Sequence, residues 1–380
     1  MDAYITALSA FLPGKAVDNT EIDLYLGKTD RISARTRKMI LASNGIKTRY
    51  YALDPESGLA THTNAQLAAR AIDGLLRRSS QDRIHCLCCG TSSPDQMMPG
   101  HASMVHGELD IGPCEVVSTS GVCLTGITAL KYGAMAVALG LAENAVVTGS
   151  ELASSYMRAD FFENAGAGTG AAQEKEHPAF SFEENFLRWM LSDGACAVLI
   201  EKRPADSLSL HIEGIEISSL AHRLPACMFA GCVRRGDGSL QGWRDVVRQG
   251  LAAAGGVFTV KQDAKLLNRE VLPALVGEGL PPVIEKYALA PQDIDWFLPH
   301  YSSEYFREPL FQQLRDIEFA IPQDRWFTNL SSKGNTGSAS FSIMLEELFS
   351  SGRLQRGQRI LGMIPESGRF SVGYVLLRAV

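Results

Sequence analysis

The chain lacks any run of about 18 uninterrupted apolar residues, the length a bilayer-spanning helix needs, so no membrane-crossing segment is expected. It also lacks an excess of positive charge. Lysine and arginine total 36 against 42 acidic residues, a net charge of −6, whereas a nucleic-acid binder carries a basic field or stripe. The opening Met1-Asp2-Ala3-Tyr4-Ile5 has neither the basic leader nor the apolar core of a secretory signal. Its eight cysteines follow no regular spacing, which in a long chain reads as reduced thiols of a cytoplasmic protein rather than a disulfide framework. Cys86 and Cys89 have zinc-type spacing, but no second pair follows at a suitable distance, and no metal site is expected. The simpler reading is a buried strand from Ile84 to Cys89 built of small apolar thiols.

What is present is ordinary in bulk. A hydrophobic content of 46% and a charged content of 21% suit a globular body, and 380 residues suffice for two domains or one large two-part body. Apolar strands alternate with helical stretches, which indicates a layered α/β fold. Asn64 to Arg77 carries an apolar stripe of Leu67, Ala68, Ala71, Leu75 and Leu76 at helical spacing. Val271 to Ile284 reads as a helix kinked by Pro273, and Trp326 to Asn329 as a strand. Segments 152–185 and 222–262 are glycine-bearing and weakly patterned, as expected of cavity-lining connections. The second half repeats the first in element order, dividing the chain into residues 1–203 and 204–380.

The sequence is organised around Glu115 to Leu139. A short strand, Cys114 to Val117, runs through a small polar loop to Cys123 and then into roughly five turns of Ala, Leu, Ile, Met and Val with only Lys131 charged. A helix apolar on nearly every face belongs in the interior. A cysteine in its first turn meets unpaired N–H groups and the positive end of the dipole, which predicts a lowered thiol pKa. Three later features bear on it. His300 ends the apolar strand Asp293 to Pro299; Asn335 lies in the small-residue loop Ser332-Lys-Gly-Asn-Thr-Gly-Ser-Ala-Ser340, which opens a helix from Phe341 to Leu348; and Gly368 precedes the last strand in Pro365-Glu-Ser-Gly-Arg369. Each alone fits a satisfied histidine, a turn asparagine or a turn glycine.

Taken in order, these features resemble the thiolase superfamily, and most closely its ketoacyl synthase III branch. Asn44-Gly-Ile-Lys-Thr-Arg49, Gly90-Thr-Ser-Ser-Pro-Asp95, the cysteine helix, Asp193-Gly-Ala-Cys-Ala-Val198, Pro299-His300 and Gly334-Asn-Thr-Gly-Ser-Ala-Ser340 follow the family's order over nearly the whole chain. The resemblance implies a five-layer αβαβα sandwich with two buried central helices, and a homodimer. It implies Cys123 as the acyl-accepting nucleophile, with His300 and Asn335 as donors to the thioester oxygen of a second substrate. The amides of Cys123 and Gly368 would form the oxyanion hole. No cofactor is implied, because the substrates travel on the phosphopantetheine of acyl carrier protein or coenzyme A. The basic segment Arg31 to Lys38, with Arg35, Arg37 and Lys38, is either a solvated helix face or a docking surface for that carrier.

The chain departs from the family where a glycine run is replaced by Pro365-Glu366-Ser367-Gly368-Arg369, and where Tyr301-Ser-Ser-Glu304 follows His300. These features resemble ketosynthases that make dialkylresorcinol and cyclohexanedione precursors by joining two acyl thioesters, one a β-ketoacyl unit. Such an acceptor needs a base, for which Glu366 is the first candidate and Glu151 a weaker one; either carboxylate could instead pair with Arg369 or Arg158. Two other catalytic readings remain on the same fold: a malonyl-dependent, decarboxylating ketoacyl synthase III, and an acyltransferase to an amine or alcohol. A non-catalytic partner subunit would usually lack the nucleophile, which is present.

Overall fold

A computed structural model of the chain describes residues 2–28, 33–79, 81, 83–161, 186–249 and 256–380. Nine strands pair edge to edge. They are β1 (Tyr4–Phe11), β2 (Cys86–Thr91), β3 (Glu115–Ser120), β4 (Asn144–Glu151), β5 (Gly194–Glu201), β6 (Leu210–Ser219), β7 (Trp296–Pro299), β8 (Arg359–Pro365) and β9 (Ser371–Ala379), in the order β3-β2-β4-β5-β1-β6-β9-β8-β7. The seam between β1 and β6 is only two pairs long, Tyr4 with His211 and Ile5 with Leu210. Outward from it, each run begins with its own first strand, then its last, then the one before. The expected strand Trp326 to Asn329 is absent. Trp326 makes a single parallel bridge to Phe297, and the chain turns into a short helix at Leu330–Lys333, with the Leu330 N–H on the Thr328 hydroxyl.

Side-chain alternation along each strand builds the layers. On β2, Cys86 and Cys88 join a central core, while Leu87 and Cys89 face an outer one. A bulge at Thr6 shifts β1 by one residue, so Ile5 and Leu8, three apart, both reach the central core. That core is filled by two helices, α3 (Thr125–Ala138) and α6 (Ser340–Ser350), through residues such as Ile127, Leu130, Phe341 and Leu345. One outer layer is α2 (Asn64–Leu76), capped by a reciprocal Thr63/Gln66 box. The other holds α4 (Ala264–Leu272) and α5 (Leu280–Tyr287) against Phe297, Leu361 and Tyr374. The result is the expected layered α/β sandwich. Between α4 and α5 the chain stays helical past Pro273 through a π-helical turn, Pro273–Gly279.

Two glycines decide how closely the loop before α6 approaches the nucleophile helix. A methyl group on Gly126 of α3, or on Gly149 of β4, would collide with the Ser338 carbonyl. A backbone oxygen cannot swing aside as a side chain can. Gly126→Ala should therefore lose about 1–3 kcal/mol of stability from overpacking, despite alanine's better helix propensity. The urea midpoint checks this; an unchanged or higher midpoint would refute the close contact.

Candidate active site

Strand β3 stops at Ser120, and Gly121, Val122 and Cys123 turn the chain into α3, whose first residue is Thr125. Cys123 thus sits just before the helix and opens onto a cavity of about 810 Å³. The expected lowering of its thiol pKa is overturned. Burial, followed by the carboxylates of Glu151 and Glu366, pushes the thiol up, because a second negative charge in a dry site outweighs the helix end.

His300 extends the β7/β8 ladder by one rung, its N–H donating to the Met363 carbonyl at 2.8 Å. Its imidazole lines the same cavity. Burial lowers its pKa to about 4, so the ring is neutral near pH 7 and carries one N–H donor. Asn335 is gripped by the earlier part of the chain: its N–H donates to the Met190 carbonyl at 2.9 Å, and its own carbonyl accepts from the Ser192 N–H at 2.9 Å. The side-chain Oδ1 accepts from the Gly337 N–H at 3.0 Å and from the Ser340 hydroxyl at 3.4 Å. With that oxygen engaged, Asn335 acts towards the cavity as a donor through Nδ2. Cys123, His300 and Asn335 therefore share one cavity although they come from distant positions in the sequence.

The two candidate carboxylates differ sharply. Glu366 is committed to its own loop: Oε1 accepts from the Gly368 N–H at 2.5 Å, and Oε2 from the N–H groups of Arg369 and Ser371, both at 3.2 Å. It pairs with the Arg369 backbone, while the Arg369 guanidinium donates to the Leu224 carbonyl. Glu366 and Gly368 line a shallower depression beside the main cavity. The Gly368 amide, expected as an oxyanion donor, is here spent on the Glu366 carboxylate; neighbouring Pro365 and Ser367 are the residues of this loop that reach the cavity wall. Glu151, the weaker candidate, ends β4 in the wall of the main cavity and is 1% exposed. Its Oε2 accepts from the Ser92 hydroxyl at 2.7 Å and the Ser338 N–H at 3.1 Å, and burial raises its pKa to about 7. Arg158 pairs with Asp160 instead. The buried Asp193 has a structural part, holding the N–H groups of Ala52 and Ser154.

Among the carrier-binding candidates on α1 (Ala34–Asn44), Arg37 is tied to Asp23 at 2.5 Å and stacks over Trp189. Arg35 and Lys38 are exposed. Much of the cavity lining is apolar, including Leu187, Met190, Leu267, Leu275, Phe306 and Leu310. Sequence reasoning missed Leu187 and Met190, which follow a stretch without periodicity. Met228, Phe229 and Phe258 come from the weakly patterned segment 222–262; of 152–185, Tyr156 and Phe161 contribute, and residues 162–185 lie outside those described. Among the described residues, no three His, Cys, Asp or Glu side chains gather as metal ligands, and no helix is long and apolar enough to cross a membrane.

The chain has a thiolase-like α/β fold, with Cys123 just before its central helix. Comparison with known proteins agrees. Residues 284–378 match the family model for the C-terminal part of 3-oxoacyl-[acyl-carrier-protein] synthase III. A β-ketoacyl-[acyl-carrier-protein] synthase III from Deinococcus radiodurans is 25% identical over 95% of this chain and 89% of its own length. The synthase III of Methylococcus capsulatus is 25% identical over 98% of each. Among solved structures, OleA from Xanthomonas campestris has a TM-score of 0.75 at 20% identity, covering 100% of this chain and 97% of that one. AbyA1, a tetronic acid condensing enzyme, has a TM-score of 0.74 at 21% identity, covering 99% of both chains.

A raised thiol pKa has a direct consequence in the free protein. The thiolate is the reactive form, so alkylation of Cys123 by iodoacetamide should be at least about tenfold slower at pH 7.5 than for a free cysteine, one pKa unit being a factor of ten. The rate should climb with pH without levelling off by about pH 9, beyond the ordinary thiol pKa of about 8.5. Peptide mass spectrometry over a pH series checks it; a plateau below neutrality would restore the activated thiolate.

Proposed function

We propose that the chain is a condensing enzyme of the ketoacyl synthase III type, joining two acyl thioesters through an acyl group held on Cys123. The observation that carries this reading is the meeting of Cys123, His300 and Asn335 in one cavity with many apolar lining residues. In the first step the Cys123 sulfur attacks a thioester carbonyl, the C–S bond to the carrier breaks, and the thiol proton leaves with the carrier sulfur. In the second, the neutral His300 N–H and the Asn335 Nδ2 donate to the carbonyl oxygen of the incoming thioester, stabilising its enolate as charge develops. The enolate carbon then attacks the acyl-cysteine, the C–S bond to Cys123 breaks, and a carbon–carbon bond is made. Both acyl groups arrive on phosphopantetheine, with exposed Arg35 and Lys38 as the docking cations for a carrier protein.

The finer reading takes the acceptor to be a β-ketoacyl thioester, as in the dialkylresorcinol and cyclohexanedione ketosynthases that the Pro365 to Arg369 stretch resembles. A cavity of this size and apolar lining suits an acyl chain longer than acetyl. The second reading, a malonyl-dependent synthase III, is favoured by the names of the curated relatives. Feeding an acyl-coenzyme A with either malonyl or β-ketoacyl thioester separates them, carbon dioxide release with the former marking decarboxylation. Cys123→Ala should abolish the acyl adduct seen in intact-mass spectra and cut product formation by about 10³-fold or more, as removal of a nucleophile does. A variant that still condenses, or a product acylated on nitrogen or oxygen, would sink the condensing reading.

A homodimer completes the proposal. Edge strand β3 pairs only with β2 among the described residues, Val116 on it is exposed, and Tyr132, Met135 and Leu139 of α3 are exposed beside it. Unpaired edges with apolar surroundings recruit partners. Light scattering should give a mass of twice 41.2 kDa, and Val116→Lys should shift it towards one chain; a wild-type monomer would remove the dimer.

A further inference from the structure

Glu151 holds an unexplained atom. Its Oε2 is satisfied by the Ser92 hydroxyl and the Ser338 N–H, but its Oε1 is buried and accepts no hydrogen bond among the described residues. Among the described residues, the hydrogen bonds it receives come from Ser92 and Ser338 and none from an arginine or lysine. An orphaned carboxylate oxygen away from water costs roughly 1–3 kcal/mol or more, so it calls for a compensating role, of which catalysis is one. The side chain stands in the wall of the cavity that Cys123, His300 and Asn335 share, and its charge acts on the Cys123 thiol and on the Tyr156 hydroxyl. Room for it is made by Gly337, where a methyl group would strike the carboxylate. Glu366 offers no such oxygen, because backbone N–H groups take both of its own.

We propose that Glu151 is the general base that removes the α-proton of the second acyl thioester. The proposal rests on the condensing reading and gives it an acceptor class: a thioester whose enolate forms by C–H cleavage, without loss of carbon dioxide. The α C–H bond breaks, its proton passes to Oε1, and its electron pair becomes the enolate on the oxygen faced by His300 and Asn335. The enolate carbon bonds to the acyl carbon, the C–S bond to Cys123 breaks, and the Glu151 proton goes to the departing thiolate. Enzyme and carboxylate return to their starting state with no outside reactant. The broad terminal torsion of a glutamate lets Oε1 turn towards the substrate. Burial, which sets its pKa at about 7, gives a base matched to neutral conditions.

The test uses the full chain with octanoyl-coenzyme A as donor and acetoacetyl-coenzyme A as acceptor. Glu151→Gln should still take an octanoyl adduct on Cys123 within about threefold of the wild-type rate, which also shows that it folds. Its condensation should fall by about 10²-fold or more, the usual scale for a lost general base. Glu151→Asp should recover part of that loss. Wild-type kcat should rise with pH through about 7, and Glu151→Gln should lack that rise. Wild-type condensation in Glu151→Gln, or equal losses of acylation and condensation, would overturn the base assignment alone. Absence of an adduct in the wild type would instead bring down the condensing reading itself.

Discussion

The carbonyl of Ser338 rests where a side chain on Gly126 or Gly149 would have to be, and the geometry of the site follows from that contact. It lets the loop carrying Asn335 lie directly on the nucleophile helix and on the end of β4. The same loop is fastened by the Ser338 hydroxyl to the Ser150 carbonyl at 2.8 Å and by the Ser338 N–H to Glu151. A larger residue at either glycine would lift the loop and separate groups that must share one cavity. Positioning of this kind depends on rigid elements, and here two interior helices and the ends of β4 and β7 supply them.

Electrostatically the cavity holds polar groups among a described lining that includes no lysine or arginine. Burial keeps His300 neutral, keeps the Cys123 thiol protonated, and raises Glu151 towards neutrality. The leading cause in each case is the poor solvation of charge in a closed site, joined at Cys123 by the charges of Glu151 and Glu366. For the proposed reaction this is an advantage. Neutral donors stabilise charge that appears only as the enolate or tetrahedral intermediate forms, so their contribution is concentrated where the barrier lies. A resting thiolate would repel the carboxylate needed for the second step.

The two carboxylates show how environment divides identical chemistry. Glu366 precedes Gly368 in a tight loop, and three backbone N–H groups converge on it; it shapes the loop. Glu151 ends a buried strand, receives two donors on one oxygen and none on the other, and is left with capacity to react. Proximity in sequence to a motif glycine favoured the first, and hydrogen-bond accounting in space favours the second.

Much of the architecture was written along the chain. Alternating strands and helices, the all-round apolar helix from Thr125 and the stripe on Asn64–Leu76 carry their own period, because one buried face repeats every two or 3.6 residues. Cys123, His300 and Asn335 each stand where a regular element meets a loop, but it was the order of motifs, through its resemblance to the ketoacyl synthase III branch, that singled them out. The short bridge at Trp326, the π turn after Pro273 and the part of the cavity wall from Leu187, Met190 and Leu191 were not legible there. The wall from 228–231 and 258–262 was anticipated only as weakly patterned sequence, since a surface built from several loops has no period. The sequence by itself determined which residues could be nucleophile and donors and which helices lie inside. Only the tertiary structure decided which carboxylate keeps a free oxygen, which amide is already occupied and which way the thiol titrates, because those depend on burial and on partners far away in the chain.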